Sequence, residues 1–294
     1  MGEPRRRRGQ RAFRGRGAVT AVDAVRDRPA RDLPERAGRS RKRADAGAWL
    51  YGRHAVTAAL ANPHRRWRRF VVLAGQATEG LSLVASARAT RRGDGEAVHV
   101  AEPADLAALL PAGAVHQGFA LEVEPLAERK LDEVLQHTGD PAGRCILVVL
   151  DQISDPQNIG AVLRSAAAFG AFAVLVPSHG TPLASGALAK AASGALEIIP
   201  LVRVVNLARA IDTLKDAGFW ICGLDETASQ CLAELDLGER IALVLGSEGS
   251  GMRRLVRERC DLLAALPTRA AQPTLNVSNA AAVALYELNR GKIK

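Results

Sequence analysis

Three short stretches of this chain carry residue types suited to chemistry on a polar ligand. The first is Asp151-Gln152-Ile153-Ser154-Asp155-Pro156-Gln157-Asn158-Ile159-Gly160, running into Ala161-Val162-Leu163-Arg164. Asp155 suits an N-cap and Pro156 a first helical turn, so a helix should begin there. Ile159, Val162, Leu163, Ala166 and Phe169 make its buried face. Gly160 lies one turn before Arg164, so bare backbone borders a guanidinium. A glycine inside a helix costs about 1 kcal/mol relative to alanine, which implies close approach by something. Taken alone, Arg164 reads equally well as half of a salt bridge.

The second stretch, Leu245-Gly246-Ser247-Glu248-Gly249-Ser250-Gly251, follows an apolar run and precedes the basic segment Met252–Arg259. A glycine-rich strand-to-helix turn invites a phosphate. Its GxxGxG spacing matches neither the dinucleotide fingerprint nor the P-loop, and Glu248 inside it would repel a pyrophosphate. A ligand with hydroxyls, amines or positive charge fits better, and S-adenosylmethionine has all three and no phosphate. The plainer alternative is a tight turn with a surface glutamate. The third stretch is Leu266-Pro267-Thr268, then Gln272-Pro273-Thr274-Leu275-Asn276-Val277-Ser278-Asn279, leading into an alanine-rich helix. Its amides offer paired donors and acceptors. One of Asn276, Ser278 and Asn279 could serve as an N-cap alone.

The elements that must position these stretches alternate. Cys145–Leu150 is a continuous apolar run suited to a strand buried on both faces. Further strands are expected at Ala173–Val176, Trp220–Leu224, Ile241–Leu245 and Leu262–Leu266. Helices are expected at Pro156–Phe169, Leu183–Leu196, Val205–Ala217, Met252–Arg259 and Val277–Asn289. Such alternation predicts a parallel sheet covered by helices, with ligands beyond the carboxyl ends of its strands. Upstream, residues 48–125 read as a small α/β unit: helices at Gly52–Leu60, Leu81–Ala89 and Asp105–Leu110, strands at Phe70–Leu73, Ala97–Val100 and Phe119–Val123. Residues 126–143 read as a linker and 144–294 as the second unit.

Charge is unevenly spread over the 294 residues. The formal net charge is +9, and residues 1–45 alone hold 15 basic and 6 acidic side chains, leaving 25 of each sign elsewhere. This Arg/Gly/Pro-rich segment, 1–47, lacks apolar periodicity and predicts a disordered tail. It reads either as a solvated tail or as a counterion-releasing contact to nucleic-acid phosphates, and the arginine excess favours the phosphates. In Asn62–Arg69, Arg65, Arg66, Arg68 and Arg69 surround Trp67, as a solvated loop or an RNA contact. No apolar run has transmembrane length, and no apolar segment follows the N-terminal arginines, so neither a membrane span nor a secretory signal is expected. Four dispersed cysteines without a CxxC pair predict reduced thiols, no structural zinc and a cytoplasmic location.

The ordered trio DPQNIGAVLRSAAAFGA, LVLGSEGSGM and LPT…PTLNVSNAAAVALYE resembles the three motifs of the SpoU/TrmH-type RNA 2′-O-ribose methyltransferases of the SPOUT superfamily. YGRHAVTAALANP and HQGFALEVEPL resemble the ends of that family's small RNA-binding domain. The branch most similar is that of the 23S rRNA guanosine-2′-O-methyltransferases. The resemblance implies a C-terminal trefoil knot, bound S-adenosylmethionine, an RNA substrate (rRNA foremost), a homodimer and no metal. It implies catalytic roles for Asn158, Arg164, Glu248 and Asn276. It also implies cofactor contacts around Leu245, Gly246, Leu266 and Leu275, with Thr274 standing where the family commonly has serine.

A ribose 2′-hydroxyl must lose its proton as it attacks a methyl group. A guanidinium with a pKa above 12 is a poor base, so Arg164 suits electrostatic stabilisation of a phosphate and a developing alkoxide better than proton abstraction. A tRNA 2′-O-methyltransferase and a non-catalytic ribosome-assembly factor are the rival readings. A dinucleotide oxidoreductase lacks its glycine fingerprint here.

Overall fold

Every second residue of Cys145–Leu150 (β5) faces a different helical layer. Ile146, Val148 and Leu150 belong to one apolar cluster and Cys145, Leu147 and Val149 to another, as a strand covered on both faces requires. The computed structural model describes residues 48–90, 98–139, 143–180, 186–269 and 275–290. The basic segment 1–47 and Thr274 lie outside the described residues.

β5 pairs in parallel with Arg240–Leu245 (β9) and with Ala173–Pro177 (β6). Leu201–Val204 (β7) extends one side, and Trp220–Leu224 (β8) and Leu262–Ala264 (β10) the other, giving the order β10-β8-β9-β5-β6-β7. One face carries Pro156–Ala168 (α5), Gly186–Ala192 (α6) and Val277–Asn289 (α9); the other carries Leu131–Gln136 (α4), Leu207–Asp216 (α7) and Arg254–Arg257 (α8). The parallel α/β architecture expected from the alternation is present.

The upstream residues form a second sheet, in the order β1-β4-β2-β3. Its strands are Ala48–Tyr51 (β1), Trp67–Leu73 (β2), Val98–Ala101 (β3) and Phe119–Val123 (β4), with helices Arg53–Ala61 (α1), Ala77–Thr90 (α2) and Pro103–Ala108 (α3). Phe70 and Phe119 stack at its centre. The two sheets share one apolar cluster, joined through α6. A Cβ on Gly186 would lie 2.4 Å from the Trp49 carbonyl oxygen, so only glycine lets α6 approach β1 so closely.

Four local expectations differ from the structure. Strands β1 and β7 were not anticipated: four residues each, they owe their conformation to partners distant in sequence. The helix expected over Leu183–Leu196 ends at Ala192, because Ser193 and Gly194 take φ of 51° and 94° before a 3-10 turn, and residues 181–185 lie outside the described set. Residues 126–143 were read as a linker, yet they contain α4, whose Val134 is buried against the main sheet. The expected helix Met252–Arg259 is a single turn, α8.

Candidate active site

The three stretches converge beyond the carboxyl ends of β5, β9 and β10. After β5 the buried Asp151 receives a hydrogen bond from the main-chain N–H of Arg253 at 2.7 Å and another from its Nε at 2.7 Å. Gln152 adopts φ 60°, a region costly for a side-chain-bearing residue, and donates through Nε2 to the Gly251 carbonyl oxygen. Asp155 then caps α5, accepting from the N–H groups of Gln157 and Asn158. This cap fixes Asn158 in the first turn.

The loop after β9 closes on itself. Ser247 and Gly251 exchange main-chain hydrogen bonds of 3.1 and 2.9 Å. A Cβ on Gly246 would fall 2.1 Å from the Gly251 carbonyl carbon, so glycine is obligatory at that crossing. Glu248 is held at the tip. Its Oε1 accepts from Asn276 Nδ2 at 2.5 Å and from the Val277 N–H at 3.2 Å. The same Nδ2 donates to Asn158 Oδ1 at 3.1 Å, while Asn276 Oδ1 caps α9 by accepting from Ser278 N–H. One asparagine therefore links all three stretches and starts a helix.

Beside this trio lies a cavity of about 600 Å³. Of the residues expected to contact a cofactor, Leu245, Gly246, Leu266 and Leu275 line it. So do Leu224 at the end of β8, Asp225, Glu226 and Thr227 after it, and Arg257, none of which the sequence motifs mark as site residues. Asp225 accepts from Thr227 N–H, Thr227 Oγ1 and Arg257 Nε. Burial pushes its carboxyl up, but these bonds and the Arg257 charge outweigh that and hold it below the ordinary aspartate value. The missed signal was positional: residues 225–227 directly follow a parallel strand, where ligands of such sheets bind.

Arg164 is not brought to this cavity. It lies exposed on α5, with no hydrogen bond or ion pair among the described residues. The close approach at Gly160 also has a different cause from a ligand. Gly160 is buried, and a Cβ there would lie 2.4 Å from the Ala191 Cβ, so the glycine admits α6.

The arginines around Trp67 separate into different roles. Arg65 was read as an RNA contact but is buried. Its guanidinium donates to Glu197 Oε1 and to the Glu124 carbonyl oxygen, with Asn62 Nδ2 on Glu197 Oε2, so no phosphate reaches it in this arrangement. Arg68 lies 3.6 Å from Glu124, and Arg69 pairs with Glu122 and stacks over Trp49. Arg66 is exposed, and its guanidinium has no partner among the described residues.

Comparison with known proteins gives two family matches. Residues 145–286 match the SpoU rRNA methylase family, and residues 49–129 match the RNA 2′-O ribose methyltransferase substrate-binding family. The 23S rRNA (guanosine-2′-O-)-methyltransferase RlmB of Pseudomonas putida is 38% identical over 244 residues, spanning 82% of this chain and 95% of that protein. The enzyme of the same name from Coxiella burnetii is 40% identical over 245 residues, spanning 82% and 94%. Among solved structures, the SpoU methyltransferase AviRb of Streptomyces viridochromogenes superposes with a TM-score of 0.69 at 24% identity, covering 86% of this chain and 91% of that one. Its complex with AdoMet gives 0.68 at 23% identity, covering 87% and 94%. These likenesses to solved structures concern the fold.

Proposed function

The chain belongs to the SpoU rRNA methylase family, and on that premise we propose that it transfers the methyl group of S-adenosylmethionine to a ribose 2′-hydroxyl of a guanosine in 23S rRNA. The observation that carries this reading is the Asn158–Asn276–Glu248 cluster beside a cavity lined by Asp225, Glu226 and Glu248. The residues present fit this cofactor: apolar Leu245, Leu266 and Leu275 suit an adenine, and Asp225, Glu226 and Glu248 suit groups that are cationic or rich in hydroxyls. When bound, it would supply an electrophilic methyl group on a sulfonium, with the neutral thioether as leaving group and the 2′-hydroxyl proton released to water.

The side chains then do the positioning. Asn276 fixes the Glu248 carboxylate through Oε1, and among the described residues Oε2 has no partner. That carboxylate opposes positive charge in the cavity. Arg164 holds a phosphate and stabilises the developing alkoxide, a role permitted by its lack of a partner among the described residues. Because Arg164 does not line its own chain's cavity, we assign it to the site of a second copy in a homodimer. We also assign a trefoil knot to the C-terminal segment. Its support is that the chain leaves edge strand β10 and returns beside the β9 loop, where the Val277 N–H meets Glu248, before α9 packs on α5. Residues 48–125 would bind the RNA, with Arg66 free for phosphate, in the cytoplasm where rRNA is assembled.

The test is to incubate the full chain with 23S rRNA and methyl-labelled S-adenosylmethionine. Label in alkali-resistant dinucleotides containing a 2′-O-methylguanosine is expected. Label on a base, or transfer to tRNA alone, would overturn the reading. Binding of RNA without transfer would favour an assembly factor.

A further inference from the structure

The cavity beside Glu248 has an asymmetric set of charges. Three acids line it, Asp225, Glu226 and Glu248, and Arg257 is the only basic side chain among the described residues of its wall. Arg257 is mounted firmly. Its Nε donates to Asp225 Oδ2 at 2.8 Å. Asp225 is itself held by Thr227 N–H at 2.9 Å and Thr227 Oγ1 at 2.5 Å, and its main-chain N–H donates to the Ala264 carbonyl oxygen of β10 at 3.0 Å. The guanidinium is thereby fixed along its Nε edge. Its two terminal nitrogens have no partner among the described residues and remain available at the wall.

We propose that Arg257 is the anchor for the cofactor's α-carboxylate and that Asp225 is the positioning residue that aims it. This rests on the reading that the cavity holds S-adenosylmethionine. That molecule has one anionic group, the carboxylate, beside an ammonium and a sulfonium. Among the described residues of the wall, Arg257 is the one charged group that attracts a carboxylate, and the acids Glu226 and Glu248 repel it. A guanidinium pinned at Nε presents its remaining N–H groups in a fixed plane, the geometry that suits a carboxylate. Charge thus orients the bound molecule, carboxylate toward Arg257 and cationic groups toward Glu226 and Glu248, the acids not paired with it.

The test compares S-adenosylmethionine with its decarboxylated analogue, which keeps the adenosine, sulfonium and ammonium. Dissociation constants are measured by calorimetry on the full chain, the Arg257→Ala and Arg257→Gln variants, and Asp225→Asn, with thermal melts confirming that each is folded. The wild-type protein should bind the intact cofactor about tenfold more tightly than the analogue, the size expected of one charge-assisted contact. Both Arg257 variants should erase that preference by weakening the intact cofactor without weakening the analogue. Asp225→Asn should reduce the preference in part. Equal affinity of the wild-type protein for the two ligands would overturn the proposal without any variant. So would an Arg257 variant that is folded and weakens both ligands equally, which would assign Arg257 to cavity shape. A wild-type protein that binds neither ligand would overturn the cofactor reading itself.

Discussion

Asp151, wholly buried at the tip of β5, and Arg253, half-exposed just after the β9 loop, are joined by three contacts: main-chain N–H to Oδ2 at 2.7 Å, Nε to Oδ1 at 2.7 Å and a terminal nitrogen to Oδ1 at 2.6 Å. They lie 102 residues apart in sequence and fasten two of the three stretches of the site to each other. The same contact sets where the helix after the β9 loop starts. Arg253, the residue before α8, is extended (φ −58°, ψ 146°) because its N–H points at Asp151.

The two halves of this pair should not respond alike. Arg253→Ala leaves a buried carboxylate with only one main-chain donor and should cost about 3–5 kcal/mol. Asp151→Asn leaves a guanidinium that can turn to water and should cost about 1.5–3 kcal/mol. Urea unfolding would measure both, and the opposite order would show that the buried carboxylate is not the costlier group to leave unpaired.

Asn276 combines a cap with a donor to Glu248, and the two roles can be separated. Asn276→Ser keeps an N-cap oxygen and should change stability by only a few tenths of a kcal/mol, whereas Asn276→Ala should lose about 1 kcal/mol. Both remove Nδ2, so methyl transfer should collapse in both. A serine variant with near-normal turnover would leave Asn276 a capping residue only.

The placement of Arg164 outside its own cavity leads to a mixing experiment. Arg164→Ala and Asn276→Ser are each expected to be inactive. If the site is shared, a mixed dimer has one doubly damaged site and one intact site. Random exchange makes about half of all dimers mixed, so activity should recover to about a quarter of wild type, counting two independent sites in a twofold dimer. Recovery no higher than either variant alone would place Arg164 at its own chain's site.

Thiol chemistry should report the core behind the cavity. Burial pushes the Cys222 thiol up to about 12, with neighbouring Cys260 adding to the rise, and burial pushes Cys260 up to about 12 as well. Both should resist a thiol-specific disulfide reagent in the folded protein at about pH 8 and react once it is denatured. Their folded values lie above the ordinary 9.0, so the stability linked to them is complete below about pH 9 and is lost as pH rises toward about 12. Melting temperature should fall across that window, less steeply in Cys260→Ala than in wild type. Equal slopes would show that these thiols carry no linked stability.

Local physics made much of this molecule legible in its sequence. Cys145–Leu150, Phe119–Val123 and Val277–Asn289 occur within the bounds their patterns predict, and Asp155 and Pro156 start α5 where capping rules place them. Asn158, Glu248 and Asn276 could be named because they belong to motifs written within a few residues. Tertiary structure decided what depends on strand order. It buried Arg65 against Glu197, locked Asp151 to Arg253, closed α6 onto Gly160, and set Asp225 and Arg257 into the cavity wall. Each of these pairs is separated by about thirty residues or more, and their approach is fixed by which strand lies beside which. Periodicity and caps act over one or two turns and hold no record of that order.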